Sequence, residues 1–372
     1  MKFFHCSHCN QRVFFDNVQC IACGSRLGFV PAELQMLSFS SDGRWTRLGP
    51  EGPPQRPCAN YAAEGVCNWM VAADDPQALC ISCRTTAVIP ALGKPENRIY
   101  WSLLEQAKRR LFYTLIGLKL PVPNREADPA NGLTFQFLED GGLQHRVLTG
   151  HDEGVITLNI AEADDAAREK TRTSMHEPYR TLVGHFRHES GHYYWDRLVA
   201  DTSWLDEFRE LFGDERQDYD AALRQHYAQP RADWESSFIS MYASSHPWED
   251  WAECWAHYLH MVDGLETAAA WGLRLEHASE DEGPLEVRAV DPDAPSLDVA
   301  LIRQWLPVSQ FSNAMNRSLG LHDSYPFVVP PAVVAKLAFV HRVIGAAMRG
   351  EMPMNFATPD VIAPVLAETE QR

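Results

Sequence analysis

Residues 184–195 read Gly184-His185-Phe186-Arg187-His188-Glu189-Ser190-Gly191-His192-Tyr193-Tyr194-Trp195. With Leu182, Val183, Phe186 and Leu198 as apolar positions, the stretch predicts a long helix entered near Pro178, since proline suits the first helical turn. Residues four apart share one helix face, so His188 and His192 can hold the same metal ion. Glu189 then lies beside them, where it can take a proton from metal-bound water, the zincin reading of HExxH. Gly184 and Gly191 each cost about 1 kcal/mol relative to Ala inside a helix; glycine in such a place permits close backbone approach. Trp195 and Leu198 occupy the places where a metzincin needs Gly and His, which excludes that subclass.

Two histidines leave the site short of a protein ligand. The best candidate segment runs from Tyr242 through His246-Pro247-Trp248-Glu249-Asp250-Trp251 to His260, and Pro247 fits a helix start. Trp248, Trp251, Trp255 and Leu259 make an apolar stripe at helical spacing; Glu249, Glu253, His257 and His260 make a polar one. Carboxylates this close to a tryptophan-rich face are costly to bury unpaired. A metal with its outer hydrogen-bonding groups would satisfy them.

The chain has 372 residues and nine cysteines, eight of them before residue 84. The N-terminus turns polar and cysteine-bearing at once and lacks the apolar core of a signal peptide. Clustered cysteines without an export signal read as metal ligands rather than disulfides, in a reducing cytoplasm. Cys6-x2-Cys9 and Cys20-x2-Cys23 are two knuckles able to present four thiolates to a structural zinc, with a hairpin turning at Asp16-Asn17. Cys58, Cys67, Cys80 and Cys83 form a looser second set with one knuckle. Cys254, alone among tryptophans, reads as a core residue.

These signals divide the chain into a zinc ribbon at 1–33, a Pro/Gly-rich linker at 34–57, a second four-cysteine unit at 58–92, a catalytic domain at 93–350 and a tail at 351–372. Helices are expected at 101–118, 204–212, 218–227, 248–264 and 331–348, and extended chain at 133–160. No run of about 18 apolar residues stands out as a membrane span. The net charge of −17 disfavours a nonspecific nucleic-acid binder. Oligomeric state leaves no trace.

The chain resembles the bacterial zinc-binding metallopeptidases that carry an N-terminal zinc ribbon. The resemblance rests on Cys67-Asn68-Trp69, Cys80-Ile81-Ser82-Cys83-Arg84, Glu177-Pro178-Tyr179-Arg180-Thr181, Gly184-His185-Phe186-Arg187-His188-Glu189, Tyr193-Tyr194-Trp195-Asp196 and His246-Pro247-Trp248-Glu249-Asp250. Its site is also similar to that of lethal-factor-type gluzincin peptidases, which place a tyrosine seven residues before a ligand glutamate and another glutamate four beyond. Tyr242, Glu249 and Glu253 stand at those intervals. The resemblance implies Glu249 as third ligand, with Glu253 as the rival choice or else accepting a hydrogen bond from a ligand histidine, and Tyr242 as donor to the oxyanion.

The expected fold is therefore α+β: two small four-cysteine zinc ribbons, then a mainly helical zincin-like domain with a small sheet. The expected function is zinc-dependent hydrolysis of a peptide or protein substrate, with three zincs per chain and Glu189 as general base. The strand near Val155 to Ile160 is expected to pair with extended substrate. The competing reading is a zinc-stabilised scaffold or protein-binding module; a structural zinc, however, needs closed four-coordination and no general base.

Overall fold

The computed structural model describes residues 2–141, 147–175, 177–276, 283–297 and 299–351. They form two compact units divided between Thr171 and Arg172. Residues 352–372, most of the segment read as a tail, lie outside the described residues.

In the first unit, β1 (Phe4–His5) pairs antiparallel with β2 (Arg12–Val13). The turn at Asp16-Asn17 is present, with the Asn17 N–H donating to Phe14 O at 3.0 Å. The flanking strand, however, pairs back across the first knuckle instead of forming the expected hairpin. Each knuckle closes on a left-handed residue, Asn10 (φ 62°) and Gly24 (φ 72°), residue types that tolerate this conformation. β3 (Arg26–Val30), β4 (Gln35–Phe39) and β5 (Arg47–Leu48) follow as an antiparallel meander. Residues 34–57 are thus part of the ribbon fold and not a linker. Met36, Leu37 and Phe39 are buried, and this apolar run outweighs the turn-rich composition around it. β6 (Gln55–Pro57) pairs with β7 (Met70–Ala72). Phe15, Phe29, Trp69 and Tyr113 form an aromatic core, with Phe29 and Trp69 ring centroids 4.8 Å apart.

Tyr113 belongs to α1 (Pro95–Gly117), which starts two turns earlier than its apolar pattern suggests because Pro95 occupies the first helical position. A four-stranded sheet completes the unit in the order β10 (Gly150–Asp152), β11 (Val155–Asn159), β9 (Thr134–Leu138), β8 (Thr86–Val88). Residues 93–171, read as part of the catalytic domain, therefore group with the ribbons. β11 is an interior strand, bonded to β10 and β9. It offers no free edge for the substrate pairing expected of it.

The helix α2 (Asp165–Ser174) crosses the division. The second unit is built from α3 (Leu182–Leu198), α4 (Leu205–Phe212), α5 (Tyr219–Ala228), α6 (Pro247–Ala270), α7 (Leu306–Ser318) and α8 (Pro331–Met348). α3 begins at Leu182 rather than at Pro178 because Thr181 caps it, its hydroxyl accepting from the Gly184 N–H at 3.0 Å. α8 is long and apolar enough to cross a membrane by length and composition, but 61% of it is buried inside the protein. Its Lys336 donates to Asp250 of α6 at 2.5 Å, a pair with almost no exposure.

α3 and α6 make the central seam. A Cβ on Gly191 would lie 2.8 Å from Ala252 Cα. At this crossing the Trp251 indole donates to Gly191 O at 2.8 Å and the Trp255 indole to Ser190 Oγ at 3.1 Å. Arg187 pairs with Asp263 and meets His260 further along. The close approach decides the sign of a substitution. Gly191→Ala gains up to about 1 kcal/mol of helix propensity, but overpacking against backbone costs about 1–3 kcal/mol. We expect a net loss of stability of about 1–2 kcal/mol, read as a lower urea midpoint at unchanged m-value.

Candidate metal centres and active site

Three clusters of metal-ligating side chains stand out among the described residues: Cys6, Cys9, Cys20 and Cys23; Cys58, Cys67, Cys80 and Cys83; and His188, His192 and Glu249. In the first, Cys6 and Cys23 sulfurs are 3.7 Å apart and those of Cys9 and Cys20 3.6 Å. In the second, Cys67 and Cys80 sulfurs are 3.9 Å apart. A disulfide would bring sulfurs to about 2.05 Å. Four thiolates about 2.3 Å from one zinc in a tetrahedron stand about 3.8 Å apart. Both cysteine sets therefore fit zinc, and all nine cysteines are free.

The second cluster is wholly buried, and backbone N–H groups point at its sulfurs: Cys80 N to Cys58 Sγ at 3.3 Å, Trp69 N to Cys67 Sγ at 3.4 Å. One buried face of α1 attends it. Arg109 donates to Val66 O at 2.7 Å. Burial works against its charge, but negative charge on the sulfurs of Cys67 and Cys83 holds its pKa above the usual value. Glu105 and Lys108, both fully buried, pair at 3.0 Å. These three charges gave no sign in the sequence beyond lying on a helix. Cys254 is buried, its thiol facing Asp250 at 3.8 Å.

The third cluster is assembled from the seam. His188 and His192 stand one turn apart on α3, their Nε2 atoms 3.3 Å apart. Glu249 enters from the first turn of α6. Pro247 sets that start, and His246 caps it by accepting the Trp248 N–H on Nδ1 at 3.1 Å. Glu249 Oε2 lies 2.9 Å from His188 Nε2 and 3.5 Å from His192 Nε2. Three donors about 2.0–2.1 Å from one tetrahedral ion stand about 3.3–3.4 Å apart, so the triangle is the size that zinc requires. Glu253 lies on the other side of the imidazole, its Oε1 accepting from His188 Nδ1 at 2.8 Å and its Oε2 from Ser240 at 2.6 Å.

The electrostatics are strongly coupled. Burial opposes charge on Glu249, but His192 and His188 outweigh it and hold its carboxyl well below the usual range. Burial likewise opposes charge on His188, yet Glu249 and Glu253 push its pKa well up. Glu189 is 6% exposed. Tyr242 packs its ring 5.9 Å from His188. Burial and the Glu249 charge keep its phenol protonated far above neutrality. Tyr219, absent from the sequence reading, donates to Glu249 Oε1 at 2.6 Å.

Comparison with known proteins gives the family. A family profile described as "Putative zinc-binding metallo-peptidase" matches residues 97–343, and a zinc-ribbon domain profile matches residues 3–94. The chain belongs to this zinc-binding metallo-peptidase family. Uncharacterized proteins of Mycobacterium tuberculosis and Mycobacterium bovis are each 44% identical over 347 residues, covering 92% of this chain and 95% of theirs. No solved structure matches. The metallo-peptidase profile spans most of α1, the strands β9 to β11, helices α2 to α7 and most of α8, and so draws on both compact units. The ribbon profile covers both cysteine clusters together with β4 and β5, in keeping with their place in the ribbon fold.

Proposed function

We propose that the chain is a zinc-dependent metallopeptidase of gluzincin type, with a third zinc held by His188, His192 and Glu249. The observation that carries the reading is the donor triangle with a buried glutamate, Glu189, next to it on the same helix. Three protein ligands among the described residues leave a tetrahedral ion one position for water or substrate. Zinc bound there supplies Lewis acidity, which acidifies water and polarises a carbonyl. Glu189 takes the proton of the attacking water and returns it to the departing amine. Tyr242 offers its phenolic O–H to the carbonyl oxygen as charge develops, a contribution of about 3–4 kcal/mol for a well-placed donor. Glu253 fixes the tautomer and ring of His188 from behind. The expected substrate is a peptide or protein in the cytoplasm, with neither nucleic acid nor membrane as partner.

Elemental analysis tests the metal. Wild type is expected to carry three zincs per chain, and a folded His188→Ala/His192→Ala protein two. Two in both, unchanged on adding zinc, would move the scaffold reading ahead.

A further inference from the structure

The second oxygen of Glu249 is already taken. Oε1 accepts the Tyr219 hydroxyl at 2.6 Å, while Oε2 faces both histidines. Glu249 itself is 1% exposed, so no bulk water competes for that oxygen. Resting on the zinc site just proposed, we propose that Tyr219 is a positioning residue that confines Glu249 to one-oxygen ligation and so keeps the remaining coordination position open for water and substrate.

The surroundings of Tyr219 are built for aim. It is the first residue of α5, and Asp218 caps that helix by accepting the Ala221 N–H at 2.9 Å. Its ring lies edge-on to His246, with centroids 5.2 Å apart, and 6.2 Å from Trp248. His246 accepts the Trp248 N–H on Nδ1, so its proton sits on Nε2, which points to Gln217 O at 3.3 Å. One imidazole thus caps the helix that carries Glu249 and grips the loop entering the helix that carries Tyr219. A carboxylate can ligate through one oxygen or two. Removing the single hydroxyl on Oε1 frees that oxygen to turn onto the ion, adding a ligand where water must bind. Groups that orient a ligand from behind typically govern about 10–100-fold in metal affinity or activity.

The test is Tyr219→Phe, which keeps the ring and deletes one oxygen, with cobalt placed in the His188–His192–Glu249 site of the otherwise zinc-loaded full chain. Four-coordinate cobalt absorbs visible light strongly and five-coordinate cobalt weakly. The expected result is a weakened cobalt spectrum, a zinc affinity altered about 10-fold in competition with a chromophoric chelator, and hydrolysis down about 10–100-fold. Should Tyr219→Phe fail to fold, His246→Asn keeps a helix cap while removing the ring that seats Tyr219, and the same spectral change is expected. Wild-type spectrum and affinity in the folded variants would overturn the role of Tyr219 alone. A wild-type protein that takes up no cobalt at this site would overturn that role together with the zinc-site reading.

Discussion

Glu189→Gln is expected to lower peptide hydrolysis by about 10³-fold, with all three zincs retained and the fold intact. The expectation rests on shape as well as chemistry. Glutamine fills the same volume on α3 and removes a buried charge, so nothing in the seam must move. An amide cannot hold and return a proton at neutral pH, and general acid–base catalysis is worth about 10²–10⁴-fold. The loss corresponds to about 4 kcal/mol of transition-state stabilisation. The check is kcat/KM on a mixture of quenched fluorescent peptides, beside zinc content and melting temperature for each protein. Hydrolysis at the wild-type rate would remove Glu189 from the mechanism. Equal inactivity of both proteins on every peptide would remove the peptidase reading.

The second large effect concerns folding. Cys67→Ser is expected to cost the chain one zinc and the ordered structure around β6 and β7. Structural zinc contributes apparent binding energies of about 10–16 kcal/mol in small metal-dependent folds, against a typical domain stability of about 5–15 kcal/mol. The apolar core of this unit includes the strand that follows Cys67. Trp69, Met70 and Val71 are buried, but they follow directly on Cys67 and pack because it is anchored. The charges of Arg109, Glu105 and Lys108 would also lose the buried thiolates that they attend. Cys254→Ser is the matched control. Its thiol is equally buried but faces the Asp250 carboxylate and belongs to no cysteine cluster among the described residues, so zinc content should hold and stability should fall by about 1 kcal/mol. Zinc analysis and near-UV circular dichroism of the two variants separate the cases. A Cys67→Ser protein with full zinc and native dichroism would show that the second cluster is not what holds this region.

Much of this arrangement was legible in the residue order because the chemistry demands fixed spacings. Two CxxC knuckles can hardly serve anything but a metal, and histidines four apart on a helix must share a face. Glu249 was harder: two carboxylates on one stripe left the choice open until an interval carried over from a resembling family favoured the first. The geometry adds what spacing lacks, since Glu249 meets the Nε2 side of His188 and Glu253 the Nδ1 side. Tyr219 could not have been found this way. It reaches Glu249 from 30 residues off through a helix whose position depends on tertiary packing. The strands β4 and β5 were hidden for another reason. Glycine and proline around them mark turns faithfully, but the same residues turn the chain between the strands of a small sheet. α7 also escaped notice, its polar residues masking a helix that begins at a Leu-Pro step.

His188 and Glu249 are 61 residues apart in the chain, and this distance has a consequence for the timing of synthesis. At about 5–20 residues per second, roughly 3–12 seconds separate their emergence from the ribosome. During that interval the HExxH helix exists without its carboxylate partner, and the seam at Gly191 has nothing to close against. The ribbons, complete by Cys83, can take their metal long before. The His188–His192–Glu249 cluster is therefore completed only once the start of α6 has emerged, well after both sets of ribbon cysteines and ahead of α7 and α8.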